Sequence, residues 1–573
     1  MNPLDALSLL PRPRSLRPEA GACLVPISES AQAAPASPPL PAQGYRLVIA
    51  PGGVRLEAAD AAGAFYGRMT LRQLRRLCPA ALPCGLIEDW PDIPLRGVML
   101  DISRDKVPTL ATLLDLVDRL AEWKINHLQL YMEHTFAYPN HREVWAGADP
   151  FTPDEILKLD AYCRDRFIEL APNQNSFGHM ERWLKHPRYR PLAECPAGFR
   201  TPAGDWRDTP STLDPTNPAA LELMAKLYAE LLPNFTSRRL NIGCDETWEL
   251  GKGASKPAVE RLGLHRVYLD YLQKLKALAA RHGCTALYWG DMVWNHFPDR
   301  LELLDREMIH VDWGYYKAYP FREHGEKLAA QGIPFWFATG TSSWGTLLGC
   351  NEAAFGSNRS AAVAALSCGA QGLLNTDWGD GGHWQYLPVS DLGFAAGAAM
   401  AWCEKANPDE AIRAALDPQV YQDAAGVMGR AAYALADAWQ LVSESATQAT
   451  LLDRILREGF SHVLPPNVTP ATLLAAEAHL EANVALMRGA RMSRPDAELI
   501  LAEFANNGRM ALTACKIGRM LLEGAAGRAA RATLAADFET IVAEHRRLWL
   551  ARNRPGGLPD SLRLLETRLT DCR

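Results

Sequence analysis

Between residues 95 and 405 the chain alternates short apolar runs with longer stretches whose apolar positions recur every three to four residues. That is the pattern of buried parallel strands separated by covering helices. Eight runs stand out: 96–102 (RGVMLDI), 126–131 (NHLQLY), 167–172 (FIELAP), 239–244 (RLNIGC), 285–289 (TALYW), 308–312 (MIHVD), 334–338 (PFWFA) and 372–376 (GLLNT). Eight βα units in about 300 residues fit a (β/α)₈ barrel. An open, doubly wound sheet has the same periodicity, because the pattern does not report closure. Upstream, 44–67 (GYRLVIAPGGVRLEAADAAGAFYG) places two β-like runs around a Pro-Gly-Gly turn and leads into an amphipathic helix over 62–77. Downstream, Ala, Leu, Arg and Glu dominate, with long helical patterns at 471–488 and 496–522. The predicted class is α/β: a small α+β domain over 1–92, a TIM barrel over 93–405 and a helical domain over 406–573. Neither flanking domain carries a chemical signature. The helical one suits oligomerisation as a homodimer, or support of the barrel.

Composition removes several function classes. A formal net charge of -6 over 573 residues argues against nucleic acid as a partner. No apolar run reaches membrane-spanning length, and the N-terminus lacks the basic stretch and apolar core of a signal peptide. Twelve cysteines are scattered singly, without a CxxC pair, which predicts reduced structural thiols and a cytoplasmic protein. His134, His179, Asp245 and His383 are the available metal ligands in the barrel, but no HxH or HExxH spacing joins them. Neither metal nor cofactor is expected.

In a (β/α)₈ enzyme the chemistry sits just past the C-terminal ends of the strands. The residues there are polar and aromatic: Asp101, Ser103, Arg104 and Asp105; Glu133 and His134; Asn173, Gln174, Asn175 and His179; Asp245, Glu246 and Trp248; Asp291 and Trp294; Trp313, Tyr315 and Tyr316; Thr339 and Thr341; and Asp377, Trp378, Asp380, His383 and Trp384. Thirteen of the sixteen tryptophans fall in the barrel region. Indoles pack on the C–H face of a pyranose while acids and Arg bind its hydroxyls, so the mixture points to a sugar. Asp105, Asp291 and Asp377 read equally well as helix N-caps, and His179 as a hydrogen-bonded core residue. Trp123, Trp183 and Trp402 lie in helical patterns and are expected to pack. Asp245 and Glu246 differ from these: two adjacent acids after a strand repel each other, which favours keeping one protonated as a general acid.

The motifs resemble glycoside hydrolase family 20, the β-N-acetylhexosaminidases. The resemblance rests on GAFYGRMTLRQL at 63–74, RGVMLDISR at 96–104, Lys124 and Asn126 before the second strand, and GCDE at 243–246. NSFGHMER and IGCDETWELGKG are closest in style to hexosaminidase D and related bacterial enzymes. The family pattern departs in two places: LYMEHTFAY replaces a His-x-x-Asp-Asp run, and the last acid is Asp rather than Glu. The resemblance implies an exo-acting retaining enzyme that cleaves terminal β-linked GlcNAc or GalNAc from a glycan or glycoconjugate. It implies that Arg96, Glu133 and Asp380 contact the terminal sugar, with His179 close to the reaction centre. Asp245 would orient the acetamido group, Tyr315 would bond its carbonyl, Glu246 would be the general acid/base, and Trp289, Trp313 and Trp378 would wall the pocket.

Consecutive carboxyls approach a sugar from one side, which leaves neither well placed to attack from the opposite face. Family 20 is among the glycosidases in which the substrate's acetamido oxygen attacks instead, giving an oxazolinium intermediate. Two alternatives stay open on the residues alone. One is a glycosidase with Glu133 or Asp380 as nucleophile. The other is a catalytically silent amino-sugar-binding protein.

Overall fold

The computed structural model describes residues 4–24, 33–442 and 449–573. All eight predicted runs are strands of one parallel sheet: Leu95–Asp101, His127–Tyr131, Glu169–Ala171, Arg239–Asn241, Thr285–Trp289, Ile309–Trp313, Phe335–Gly340 and Gly372–Asp377. The eighth pairs with the first, Leu373 opposite Arg96 and Thr376 opposite Met99. Between the third and fourth, Asn173 bridges Asn241, whose N–H donates to Pro172 O at 3.0 Å. The sheet therefore closes, and the open-sheet alternative falls. Trp123, Trp183 and Trp402 are buried in packing, as their helical positions predict.

The N-terminal domain is a five-stranded sheet carrying the helix Ala61–Leu77. It contains more strand than its Pro-rich start suggests, because Ser15–Cys23 pairs antiparallel with Leu82–Asp89. The domain plugs the N-terminal end of the barrel through a buried polar knot. Asp89 accepts hydrogen bonds from Tyr45 at 2.7 Å and from the Trp402 indole at 2.9 Å, and lies 3.5 Å from Lys124 Nζ. Burial pulls the Lys124 ammonium down to about 8 although Asp89 opposes it.

Arg96 belongs to the same knot, which corrects its expected role. It stands at the entry of the first strand, at the opposite end of the barrel from the acids. Fully buried, it donates to the carbonyls of Ile93, Pro94 and Lys124 and to the Gln43 side chain, with the Tyr66 and Trp402 rings against its guanidinium. Arg96→Ala is therefore expected to cost on the order of 3 kcal/mol in stability, by stranding buried acceptors, while leaving KM unchanged. Arg104→Ala, at the acid end of the barrel, should raise KM as well as cost stability, since it leaves the buried Asp101 and Glu133 carboxylates unpaired. Thermal melts and steady-state kinetics on both variants separate the two roles.

The C-terminal region is helical, with Pro470–Met487 and Ala497–Leu522 matching the two predicted patterns to within about one residue. Further helices, including Leu451–Glu458, Ala535–Arg552 and Leu558–Asp571, pack with them and against the barrel. Arg554 reaches from this region to Pro150 O at 2.8 Å and to Glu155 at 2.7 Å.

Candidate active site

The fourth strand leaves the sheet through Gly243, Cys244, Asp245 and Glu246, of which Gly243, Cys244 and Glu246 have φ of +70°, +76° and +47°. Left-handed backbone at non-glycine residues stores about 1–3 kcal/mol each and is concentrated at functional sites. A Cβ on Gly243 would run into the Asn175 side chain, so glycine is required there. The turn presents both acids to the barrel mouth in different environments. The Asp245 side chain is 11% exposed, whereas that of Glu246 is 34% exposed.

His179 comes from the loop after the third strand, with φ of +56°. Its Nε2 lies 3.2 Å from Asp245 Oδ2 and 3.4 Å from Glu246 Oε2, and its Nδ1 lies 3.9 Å from Glu133 Oε1. Burial works against charge on the ring, but the Asp245 and Glu246 carboxylates outweigh it and hold the imidazolium well above its ordinary range. Glu133 accepts the Tyr131 hydroxyl at 3.0 Å and lies 3.4 Å from Arg104 Nε. Burial pushes this carboxyl up to about 7 despite the guanidinium. Arg104 is also 3.2 Å from Asp101 and 3.9 Å from Asp380, and its guanidinium lies over the Tyr131 and Trp378 rings.

Aromatic rings close the other half of the mouth. The centroids of Trp289 and Trp378 are 6.1 Å apart, Trp313 stacks on Tyr315 at 5.1 Å, and Trp344 meets Tyr315 edge-on at 5.2 Å. Trp378 Nε1 donates to the Tyr315 hydroxyl oxygen at 2.9 Å, leaving the phenolic proton for another acceptor. Burial raises the Tyr315 phenol, so it stays a proton donor. The cavity, open at the mouth, measures about 170 Å³, small beside the roughly 300–1,000 Å³ of drug-sized sites. It suits a single sugar residue. A second cavity, of about 330 Å³, adjoins it across Arg104, His179, Glu246 and Asp380 and is lined also by Glu133, Arg182, Arg207 and Trp248.

Eight of the ten residues singled out from the sequence line the small cavity: Asp245, Glu246, Tyr315, His179, Trp289, Trp313, Trp378 and Asp380. Glu133 lines the adjoining cavity, behind His179 and Arg104, and Arg96 lines neither. Arg104, Trp344 and Asp291 complete the site without having been assigned a role. Position alone could have identified Arg104, since it follows the C-terminal end of the first strand and Arg96 does not. None of the three ambiguous aspartates makes a side-chain N-cap. Asp105 pairs with Arg182 at 2.7 Å, and Asp377 accepts the hydroxyls of Thr341, Ser343 and Ser390. Trp294 stacks on His324, away from the cavity.

Asp291 Oδ2 accepts the Glu246 N–H at 2.9 Å and so fixes the strained backbone of the open acid. Burial, and then Asp245, push its carboxyl up to about 7. A folded pKa raised this far means stability is fully present below the unfolded value of about 3.9 and is lost as pH rises through 7. Asp291→Asn keeps an acceptor but removes the titration. Its stability relative to the parent should therefore grow between pH 4 and pH 7 and level off above, as urea melts at pH 5 and pH 8 would record.

The sequence matches the model of the glycosyl hydrolase family 20 catalytic domain over residues 94–352 and that of the family's domain 2 over 25–90. The chain belongs to glycoside hydrolase family 20. This family 20 chain is 28% identical to a beta-hexosaminidase of Akkermansia muciniphila over 286 residues, 44% of this chain and 56% of the relative. It is 27% identical to human hexosaminidase D over 213 residues, 36% of this chain and 41% of that protein. The chain thus spans about half the length of these curated relatives or less. In fold it is similar to the crystal structure of an exo beta-N-acetylglucosaminidase from Vibrio harveyi. The TM-score is 0.59 at 16% identity, covering 72% of this chain and 77% of that one.

Proposed function

We propose that the protein is an exo-acting, retaining β-N-acetylhexosaminidase that removes terminal β-linked GlcNAc or GalNAc, with the substrate's acetamido oxygen as nucleophile. One observation carries this reading. Asp245, whose Oδ1 is buried with no hydrogen-bond partner among the described residues, lines the same small aromatic cavity as Tyr315 with its donor hydroxyl. An acceptor and a donor so placed match the N–H and C=O of a secondary amide. An unpaired buried carboxylate oxygen costs about 1–3 kcal/mol or more, which the amide N–H would offset.

The acetamido oxygen attacks C1 while the bond from C1 to the leaving oxygen breaks, and Glu246 gives that oxygen its proton. Asp245 holds the N–H and stabilises the positive charge of the oxazolinium ring; Tyr315 holds the carbonyl oxygen in line. Glu246, now a carboxylate, takes a proton from water as the water adds to C1, which reopens the ring and restores the acetamide with retained configuration. His179, protonated between Glu133, Asp245 and Glu246, orients the acids. Arg104 and Asp380 take the distal hydroxyls, and the adjoining cavity past Glu246 receives the leaving group. Glu133 is a poor nucleophile here, being held by Tyr131 behind Arg104 and His179. All twelve cysteines are free thiols, which supports a cytoplasmic setting.

A panel of nitrophenyl glycosides tests the reading. Release from β-GlcNAc or β-GalNAc, with none measurable from β-glucoside, is the expected result. Equal release from the glucoside favours an enzyme nucleophile, and binding of free sugars without release favours a silent binding protein.

A further inference from the structure

We propose that the C-terminal helical domain completes the active site, with Arg457 as a positioning residue that fixes Asp380; this rests on the assignment of Asp380 to the hydroxyls of the terminal sugar. The loop over 378–386 leaves the eighth strand and carries both Trp378 and Asp380. Residues Gly381, Gly382 and His383 have φ of +75°, +95° and +52°, so the loop has no regular structure to hold it. The barrel secures its edges: Gly379 N–H donates to Asp101 Oδ2 at 2.9 Å, and the Gln385 side chain donates to Trp378 O at 2.7 Å. Asp380 gets little from the barrel. Its side chain is 52% exposed and approaches Arg104 Nε only to 3.9 Å, too far for a hydrogen bond.

The support comes from the C-terminal domain, through three of its helices. Arg457, on the helix Leu451–Glu458, donates from Nη2 to Asp380 O at 3.2 Å and lies over the Trp384 ring. The buried Asp453, one turn back, holds the guanidinium at 2.6 Å. The fit is close enough that a Cβ on Gly381 would overlap the Arg457 guanidinium. On the helix Leu558–Asp571, Ser561 donates its hydroxyl to Gly382 O, and its backbone carbonyl accepts the Trp384 indole N–H at 3.0 Å. On Ala497–Leu522, the Asn507 side chain donates to Trp384 O at 3.1 Å. Residues 380, 382 and 384 are thus each bonded to a helix outside the barrel. The match to the family 20 catalytic-domain model ends at residue 352, so the loop and its brace both lie beyond it. Fixing the Asp380 backbone determines where its carboxylate points, and a misplacement near 1 Å is enough to cost catalysis heavily.

The test uses the full chain with nitrophenyl β-GlcNAc and four variants: Asp380→Ala, Arg457→Ala, Arg457→Lys and the double Asp380→Ala/Arg457→Ala. Arg457→Ala should lower kcat/KM by about tenfold, carried mainly in KM, and Lys should restore part of the loss. Because Arg457 acts through Asp380, the double variant should fall no further than Asp380→Ala. Gly381→Ala, which displaces the guanidinium from the other side, should raise KM in the same way and serves if Arg457→Ala does not fold. A loss in Asp380→Ala with wild-type KM in Arg457→Ala overturns the brace alone, as do losses that multiply in the double variant. Wild-type kinetics in Asp380→Ala would overturn the hydroxyl assignment itself, and the brace with it.

Discussion

Glu246→Gln should lower kcat/KM on a β-linked GlcNAc disaccharide by about 10²–10⁴-fold, the usual worth of a positioned general acid, while nitrophenyl β-GlcNAc loses markedly less in its first step. The amide keeps the shape of the carboxyl and its place at the boundary of the two cavities, but it has no proton to give a sugar hydroxylate. Nitrophenolate departs without one. Binding of the product sugar, followed by calorimetry, should stay near that of the parent, because Glu246 faces the leaving group rather than the ring. Equal losses on both substrates would mean that Glu246 has another role. Full activity on the disaccharide would move the acid elsewhere in the barrel.

The second large effect is expected at Asp245. Asp245→Asn removes the charge that faces the oxazolinium but keeps the side-chain volume, and kcat should fall by about 10²–10³-fold, as when one preorganised electrostatic group is removed from an active site. KM should move much less, since the ground-state amide is neutral. His179 supplies an independent readout. Its imidazolium is held up chiefly by Asp245 against the cost of burial, so in the variant the ring should titrate at lower pH by NMR. An unchanged His179 titration together with unchanged kcat would separate Asp245 from both the histidine and the reaction.

Much of this was legible in the chain because the features are local and periodic. Each barrel strand is a short apolar run between turn residues, and Asp245 and Glu246, the acids proposed to catalyse, directly follow one of them. The residues whose place the chain does not reveal are those whose role depends on which end of the barrel they occupy. Arg96 and Arg104 lie within one motif, RGVMLDISR, eight residues apart, the first near the start of the strand Leu95–Asp101 and the second three residues past its end. The motif does not say which arginine faces the cavity at the barrel mouth; the direction of the strand does. Glu133 shows a different limit. Its place after the second strand put it near the site, but its burial behind Arg104 and His179 depends on side chains from two other strand ends. Trp344 lies four residues past the end of the seventh strand, where position could have found it, whereas Arg457 follows no strand end and reaches the loop of Asp380 only through long-range packing.

The central claim is that the substrate's acetamido oxygen does the attacking. Rates on nitrophenyl β-GlcNAc carrying zero, one, two or three fluorines on the acetamido methyl test it most directly. Fluorine makes the carbonyl oxygen a poorer nucleophile while leaving the leaving group and the ring hydroxyls unchanged. A steep, steady fall in kcat/KM along the series is the predicted result. A flat series, or a glycosyl adduct trapped on Glu133 or Asp380, would contradict it.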